Sequence, residues 1–364
     1  MEKSSVARMS RKKKAVFALL SLMVGTIIAF AILEAALRLF LANAPANDEA
    51  LYVVVPSDIP GLGYALASNH DGGNVRTNED GLRIRTTGVS QTQYTILVLG
   101  DSVVFGGAVP YEQNLTALLE SELDSPEYSI AVWNSAAPGY NTSQESILLR
   151  TLAPKVRPDL VLIGFCMNDY LPPPTLTPAG QLDVRRLDVT RFAMDDKRFS
   201  LRGVLYRSRA IVFLKEKIKD LQKLRPGLFP SSLHYISHAH ERPGWARAQQ
   251  ALLEIRDTAR EIRAEVLLVL FPVEQQLRIP ERSPQDNMIA FAQREGIATI
   301  DLYEPFQQNW QKGLYFDYSV LSGSADKLHL NHRGHALAAR EIARFIQANM
   351  KLLPRGRPVR KPTP

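Results

Sequence analysis

From residue 94 onward the chain alternates continuous apolar runs with stretches of helical spacing. Residues 94–100 (YTILVLG) show no polar alternation and end in glycine, which predicts a strand buried on both faces. The same reasoning predicts strands over 128–134, 159–165 (DLVLIGF), 265–271 and 297–301. Between them, apolar positions recur at helical spacing over 115–123, 144–152, 245–264 and 288–295, and residues 332–350 close the pattern with another helix. Strands that alternate with helices imply a parallel sheet covered on both faces, because parallel neighbours need crossover connections. The expected class is therefore α/β, a three-layer α/β/α arrangement around five parallel strands.

Three regions depart from this rhythm. Residues 43–93 are rich in Gly, Pro, Asn and Asp and read as a lead-in segment hugging the surface of the domain at 94–350. Within it, 77–83 (TNEDGLR) reads as a turn, with Asn78 and Arg83 tying the lead-in to that domain. Residues 172–244 interrupt the domain between the third strand and the helix at 245–264. They hold three consecutive prolines, a charged stretch at 183–202 and an amphipathic helix near 204–224. An insertion of this length at the catalytic edge is read either as a lid or as plain structure. The Pro- and Arg-rich tail at 351–364 reads as disordered.

The N-terminus carries a different pattern. Residues 15–33 form an uncharged run of nineteen, about 28 Å as a helix, enough to span the hydrocarbon core. Residues 15–42 are therefore expected to be a transmembrane anchor that follows a basic cytoplasmic segment at 1–14. Arg11, Lys12, Lys13 and Lys14 lie just upstream, so the positive-inside rule keeps the N-terminus cytoplasmic and sends the domain across the membrane, to the periplasm. A cleaved signal peptide is the competing reading, with Ala42-Asn43-Ala44 as its cleavage site. The length of the apolar run, the intervening Glu34 and Arg38, and Pro45 after the cut favour an uncleaved helix.

Charge at first points elsewhere. The pI near 9.4 and net charge of +7 are those of many nucleic-acid binders. Residues 1–14 and 351–364 each carry +5, however, which leaves the body at −3 and without a basic stripe for phosphates. Nucleic acid is thus not an expected partner. The single Cys166 excludes an internal disulfide.

Chemistry gathers in short blocks far apart. Gly100-Asp101-Ser102 with Gly106 follows the first strand, Gly139 follows the second, and Asn168-Asp169 follows the third. Asp326-Lys327-Leu328-His329 precedes the closing helix. Open α/β sheets build their sites at the carboxyl edge, where Ser102 falls, near a helix N-terminus whose N–H groups steady a developing oxyanion. Asp101 and Ser102 also suit a helix N-cap. A serine alcohol needs a base, and His329 with Asp326 one turn earlier supplies the acid–base pair. His332 and His335 raise a metal cluster as a rival, but no acidic second shell converges there, and no metal is expected. His238 and His240 lie in a polar loop and read as solvated.

In this order the blocks resemble those of the SGNH (GDSL-type) hydrolases, in particular membrane-anchored bacterial members, over roughly residues 94–345. The resemblance implies a flavodoxin-like strand order of 2-1-3-4-5 and a Ser102–His329–Asp326 triad. It also implies an oxyanion hole built from the Ser102 N–H, the Gly139 N–H and the Asn168 side chain, without a cofactor. A plain turn glycine is the lesser, competing reading of Gly139. One departure stands out: the family usually has glycine two residues before the asparagine, where this chain has Cys166, with Gly164 further back. That change concerns the acyl-facing wall. The activity implied is hydrolysis of an ester, a small molecule or an O-acylated glycan or lipid of the envelope. Acyl transfer by the same triad, or a silent scaffold among envelope polysaccharide or lipid assembly proteins, are the alternatives.

Overall fold

In the computed structural model the five apolar runs form one sheet. The structure describes residues 11–42, 53–72, 74–83, 94–124, 129–176, 180, 182, 210–211, 214, 238–278, 280–316 and 328–349. The strands are β1 (Tyr94–Gly100), β2 (Ile130–Asn134), β3 (Leu160–Cys166), β4 (Glu265–Phe271) and β5 (Ala298–Asp301). They are ordered β2-β1-β3-β4-β5, and all four pairings are parallel, as expected. The central strands carry no polar alternation because both faces are covered. Ile96–Leu99, Leu160–Ile163 and Leu267–Leu270 are entirely buried. β5 is a short, half-buried edge.

The helices are α1 (Arg11–Ala42), α2 (Ser102–Phe105), α3 (Leu115–Leu123), α4 (Thr142–Val156), α5 (Pro243–Glu261), α6 (Glu274–Arg278), α7 (Ser283–Glu295), α8 (Tyr303–Asn309) and α9 (His332–Ala348). α3 packs with α9, and α4 packs with α5, so helices flank the sheet. Asparagine caps start three of them. Asn114 accepts the Thr116 N–H, Asn141 forms a capping box with Gln144, and Asn331 accepts the N–H groups of Arg333 and Gly334. The capping box moves the start of α4 two residues ahead of its apolar pattern. At its other end α4 runs through Pro154 to Val156, beyond the expected 152.

The lead-in is made of two small antiparallel pairs, Val54–Pro56 with Tyr64–Leu66 and Asp71–Gly72 with Val75–Arg76. Val53, Leu62, Tyr64, Val75 and Leu82 are buried in the same core as the sheet. Its final turn is shaped by Asn78, whose Oδ1 accepts the N–H groups of Asp80 and Leu82. Arg83 then bridges to Asn134 at the end of β2.

The chain divides into two units. Ala46–Asp196, Phe229–Asp317 and Asp326–Pro364 make up the larger, which contains the sheet. Met1–Pro45, Lys197–Leu228 and Tyr318–Ala325 make up the smaller, which contains α1. Within α1, 24 residues from Val16 to Leu39 are long and apolar enough to cross a membrane. Glu34 and Arg38 pair at 2.6 Å on one face, and the Ala210 N–H donates to the other Glu34 oxygen at 2.8 Å. The expected helix near 204–224 lies outside the described residues except at 210, 211 and 214, as do the charged stretch at 183–202 and the basic tail.

Candidate active site

Ser102 opens α2, a single helical turn seated on the carboxyl end of β1. The turn can sit there because two strands present glycine beneath it. A Cβ on Gly100 would lie 2.5 Å from Val104 Cγ2, and a Cβ on Gly164 would lie 2.3 Å from the same atom. Gly164, on the neighbouring strand, is thus the contact glycine under the turn, while Cys166 ends β3 at 1% exposure. Asp101 is the N-cap: its Oδ1 accepts the Val103 N–H at 2.8 Å. Gly106, in the left-handed region at φ +59, closes the turn by donating its N–H to the Ser102 carbonyl.

The half-buried Ser102 faces His329, whose Nε2 lies 2.7 Å from Ser102 Oγ across 227 residues of chain. The three C-terminal histidines do not converge. His332 is exposed at the start of α9, and His335 is fully buried, its Nδ1 accepting the Leu115 N–H at 3.3 Å. Burial, with Arg83 and His329 nearby, pushes the His335 imidazole down to about 3, so it is neutral at ordinary pH. Asp326, the expected acid partner, lies outside the described residues. His238 precedes and His240 lies within a short turn at Ala239–Glu241, and His238 meets Glu241 at 3.2 Å. Among the described residues, no group of three His, Cys, Asp or Glu side chains is placed to hold a metal.

The other two expected site residues sit on the loops that follow β2 and β3. The Ala137 N–H donates to the Gly100 carbonyl at 3.2 Å, which sets the Gly139 loop beside the carboxyl end of β1, where α2 starts. Gly139 has φ +74. Tyr64 of the lead-in braces this loop by donating its hydroxyl to Pro138 O at 2.7 Å, and Tyr140 returns a hydroxyl bond to Tyr64 O at 2.8 Å. Among the described residues nothing accepts the N–H of Ser102 or of Gly139. Asn168 lies in a turn that Asp169 closes by accepting the Cys166 N–H at 2.8 Å. Its Nδ2 donates one hydrogen to Asp101 Oδ2 at 3.0 Å, which fixes the amide plane and leaves the second hydrogen available.

That Asp101–Asn168 bond joins residues 67 apart and is invisible in the sequence, where Asp101 offers only a cap. Burial pushes the Asp101 carboxyl up, while hydrogen bonds from Asn168 and Val103 and the nearby His329 draw it back down. Two further buried acids lie close. Burial and the neighbouring Asp101 hold the Glu145 carboxyl of α4 well above the usual range. Asp169 is raised by burial, Asp101 and Glu145. Beside the Asn168 turn is a pocket of about 180 Å³ lined by Asn141, Asp169, Tyr170, Pro172 and Arg247 among others, but not by Ser102 or His329.

The model of the GDSL-like lipase/acylhydrolase family matches residues 98–337. No curated protein matches the chain. Similar solved structures include a catalytic mutant of Axe2, an acetylxylan esterase from Geobacillus stearothermophilus. It is 16% identical, with 70% of this chain and 95% of that chain covered and a TM-score of 0.39. The esterase EstA from Pseudoalteromonas sp. is 14% identical, with 71% and 100% covered and a TM-score of 0.40. A lipase/acylhydrolase from Enterococcus faecalis is 17% identical, with 71% and 97% covered and a TM-score of 0.38.

Proposed function

Because the chain belongs to the GDSL-like lipase/acylhydrolase family, we propose that it is a serine ester hydrolase with Ser102 as nucleophile and His329 as base. The observation that carries this reading is the 2.7 Å approach of His329 Nε2 to Ser102 Oγ at the carboxyl edge of the sheet. Ser102 Oγ attacks the ester carbonyl as its proton passes to His329 Nε2. The same proton then goes to the departing alcohol as the carbonyl re-forms and the acyl-serine remains. Water, deprotonated by His329, releases the acid and restores the serine. Asp326, three residues before His329, holds the ring by its Nδ1–H in this reading.

Negative charge on the tetrahedral oxygen meets three donors: the N–H groups of Ser102 and Gly139, and the second amide hydrogen of Asn168. The Ser102 N–H is one of the orphan donors of a helix N-terminus, so it needs no reorganisation when charge develops. The Asp101–Asn168 bond supports the same role, because an amide held in one plane donates in one direction.

The substrate class follows from location. α1 anchors the protein with its basic end in the cytoplasm, so the domain faces the envelope and acts on an O-acylated glycan or lipid there. The activity is tested with full-length protein in detergent, given short- and long-chain p-nitrophenyl esters and acetylated glycans. Release of free acid that disappears in Ser102→Ala and in His329→Ala is the expected result. Full turnover by either variant would remove the assignment.

A further inference from the structure

We propose that Arg83 is a positioning residue for the reaction: its guanidinium grips the far end of α2 and so holds Ser102 and the Ser102 N–H on the reacting ester. The inference rests on Ser102 being the nucleophile. A helix of one turn does not hold its own shape, since nucleation costs more than a single turn of hydrogen bonds returns. The carbonyls at its carboxyl end also have no partner within the helix. Both needs are met from outside. Arg83 Nη1 donates to the carbonyls of Phe105 and Gly106, the latter at 2.9 Å. Nη2 donates to Val109 O at 2.7 Å and to Asn74 O at 2.9 Å. The Asn114 amide reaches Val104 O and Phe105 O, both at 3.1 Å, and the Asn134 amide reaches Val104 O at 3.3 Å.

Arg83 is the chief of these clamps, because it is the one that is both rigid and charged. The residue is 1% exposed, and its Cζ lies 5.4 Å from the Phe105 ring centroid and 5.8 Å from that of Tyr111. Among the described residues its hydrogen-bond acceptors are all backbone carbonyls and none is a carboxylate. A cation at the carboxyl end of α2 complements the negative pole of that turn. Burial lowers the guanidinium to about 10, with Tyr111 and Glu112 acting against that fall, so the group keeps its charge at neutral pH. The turn that precedes it is built to deliver it. Asn78 fixes residues 78–82, and the Arg83 N–H is pinned to Asn134 O at 3.0 Å.

A lysine would keep the charge but lose the planar fork that reaches four carbonyls at once. The bland reading is that Arg83 only fastens the lead-in to the sheet. That reading predicts lost stability with an unchanged rate per folded molecule. The test compares full-length wild type, Arg83→Lys and Arg83→Ala in detergent. Three quantities are measured: the rate of fluorophosphonate labelling per folded molecule, ester kcat and KM, and the melting temperature. Displacing the nucleophile by a fraction of its turn should lower labelling and kcat about 10²-fold in Arg83→Ala, with KM nearly unchanged. Millimolar guanidinium should restore much of that loss in Arg83→Ala and none in wild type. If Arg83→Ala does not fold, Arg83→Lys decides, with an expected fall of about tenfold at unchanged KM. Folded variants that label at the wild-type rate would overturn the proposal and leave the Ser102 assignment standing. A wild type that does not label at Ser102 would instead overturn the assignment itself.

Discussion

Replacing His335 with glutamine should change how the protein responds to acid. His335 is fully buried on α9, and its Nδ1 accepts the Leu115 N–H. Protonating that nitrogen would set two donors against each other and place a cation near Arg83. Burial, with Arg83 and His329 nearby, depresses its proton affinity from the ordinary 6.5 to about 3. Between those pH values the unfolded chain holds a proton that the folded protein does not. The stability from this site is complete above about pH 6.5 and declines as the pH falls toward 3. The slope approaches about 1.4 kcal/mol per pH unit, so wild type should lose about 2 kcal/mol at this site between pH 8 and 5. Asp101, Glu145 and Asp169, whose carboxyls are raised, act with the opposite sign, since they lose stability as the pH climbs. They are common to both proteins and cancel in the difference. The assay is urea unfolding of full-length wild type and His335→Gln in detergent, followed by tryptophan fluorescence at several pH values. His335→Gln costs something at pH 8 but should close on wild type by about 2 kcal/mol at pH 5. A difference that stays constant over that range would refute the reasoning.

Three further outcomes are expected. If Asn168 serves in the proposed oxyanion hole, Asn168→Ala should lower kcat by about 10²–10³ with little change in KM; a rise confined to KM would assign it to substrate binding. Gly164→Ala should cost about 1–3 kcal/mol in urea unfolding and reduce ester turnover, since the new Cβ falls 2.3 Å from Val104 Cγ2 under α2; adding Val104→Ala should recover both, and no recovery would place the strain elsewhere. In intact spheroplasts added protease should digest the domain, and carbonate should leave the full-length chain in the membrane. A mature N-terminus near Pro45 would replace the anchor with a cleaved signal.

Where the fold rests on local pattern, it was legible in the chain. β1 and β4 begin and end where their apolar runs do, because a strand covered on both faces has no other way to be written. Helix ends were less legible. α4 begins at Thr142 because of the Asn141–Gln144 capping box, and α7 begins at Ser283, five residues before the expected 288, with Pro284 in its first turn. Ser102 and His329 could be paired from spacing and chemistry, and the structure brings them together. Gly139 and Asn168 fall on the loops where they were expected. The fold places on one edge what the sequence holds far apart, and this is where reading the chain fell short. Asp101 read only as a cap, yet it also orients Asn168. Arg83 read as a tether, yet its side chain ends on the carbonyls of Phe105 and Gly106 at the carboxyl end of α2. Neither contact has a local signature, since each depends on which loops the strand order makes neighbours. Cys166 stood out as a departure, but the strand position under the turn is Gly164.

The central claim is that Ser102 is the nucleophile activated by His329, and covalent labelling tests it most directly. Full-length protein is treated with a fluorophosphonate at neutral pH, and the modified peptide is identified by mass spectrometry. The account predicts a single adduct on Ser102, absent from Ser102→Ala and formed far more slowly in His329→Ala. An adduct on another residue, or labelling that persists unchanged in Ser102→Ala, would contradict it.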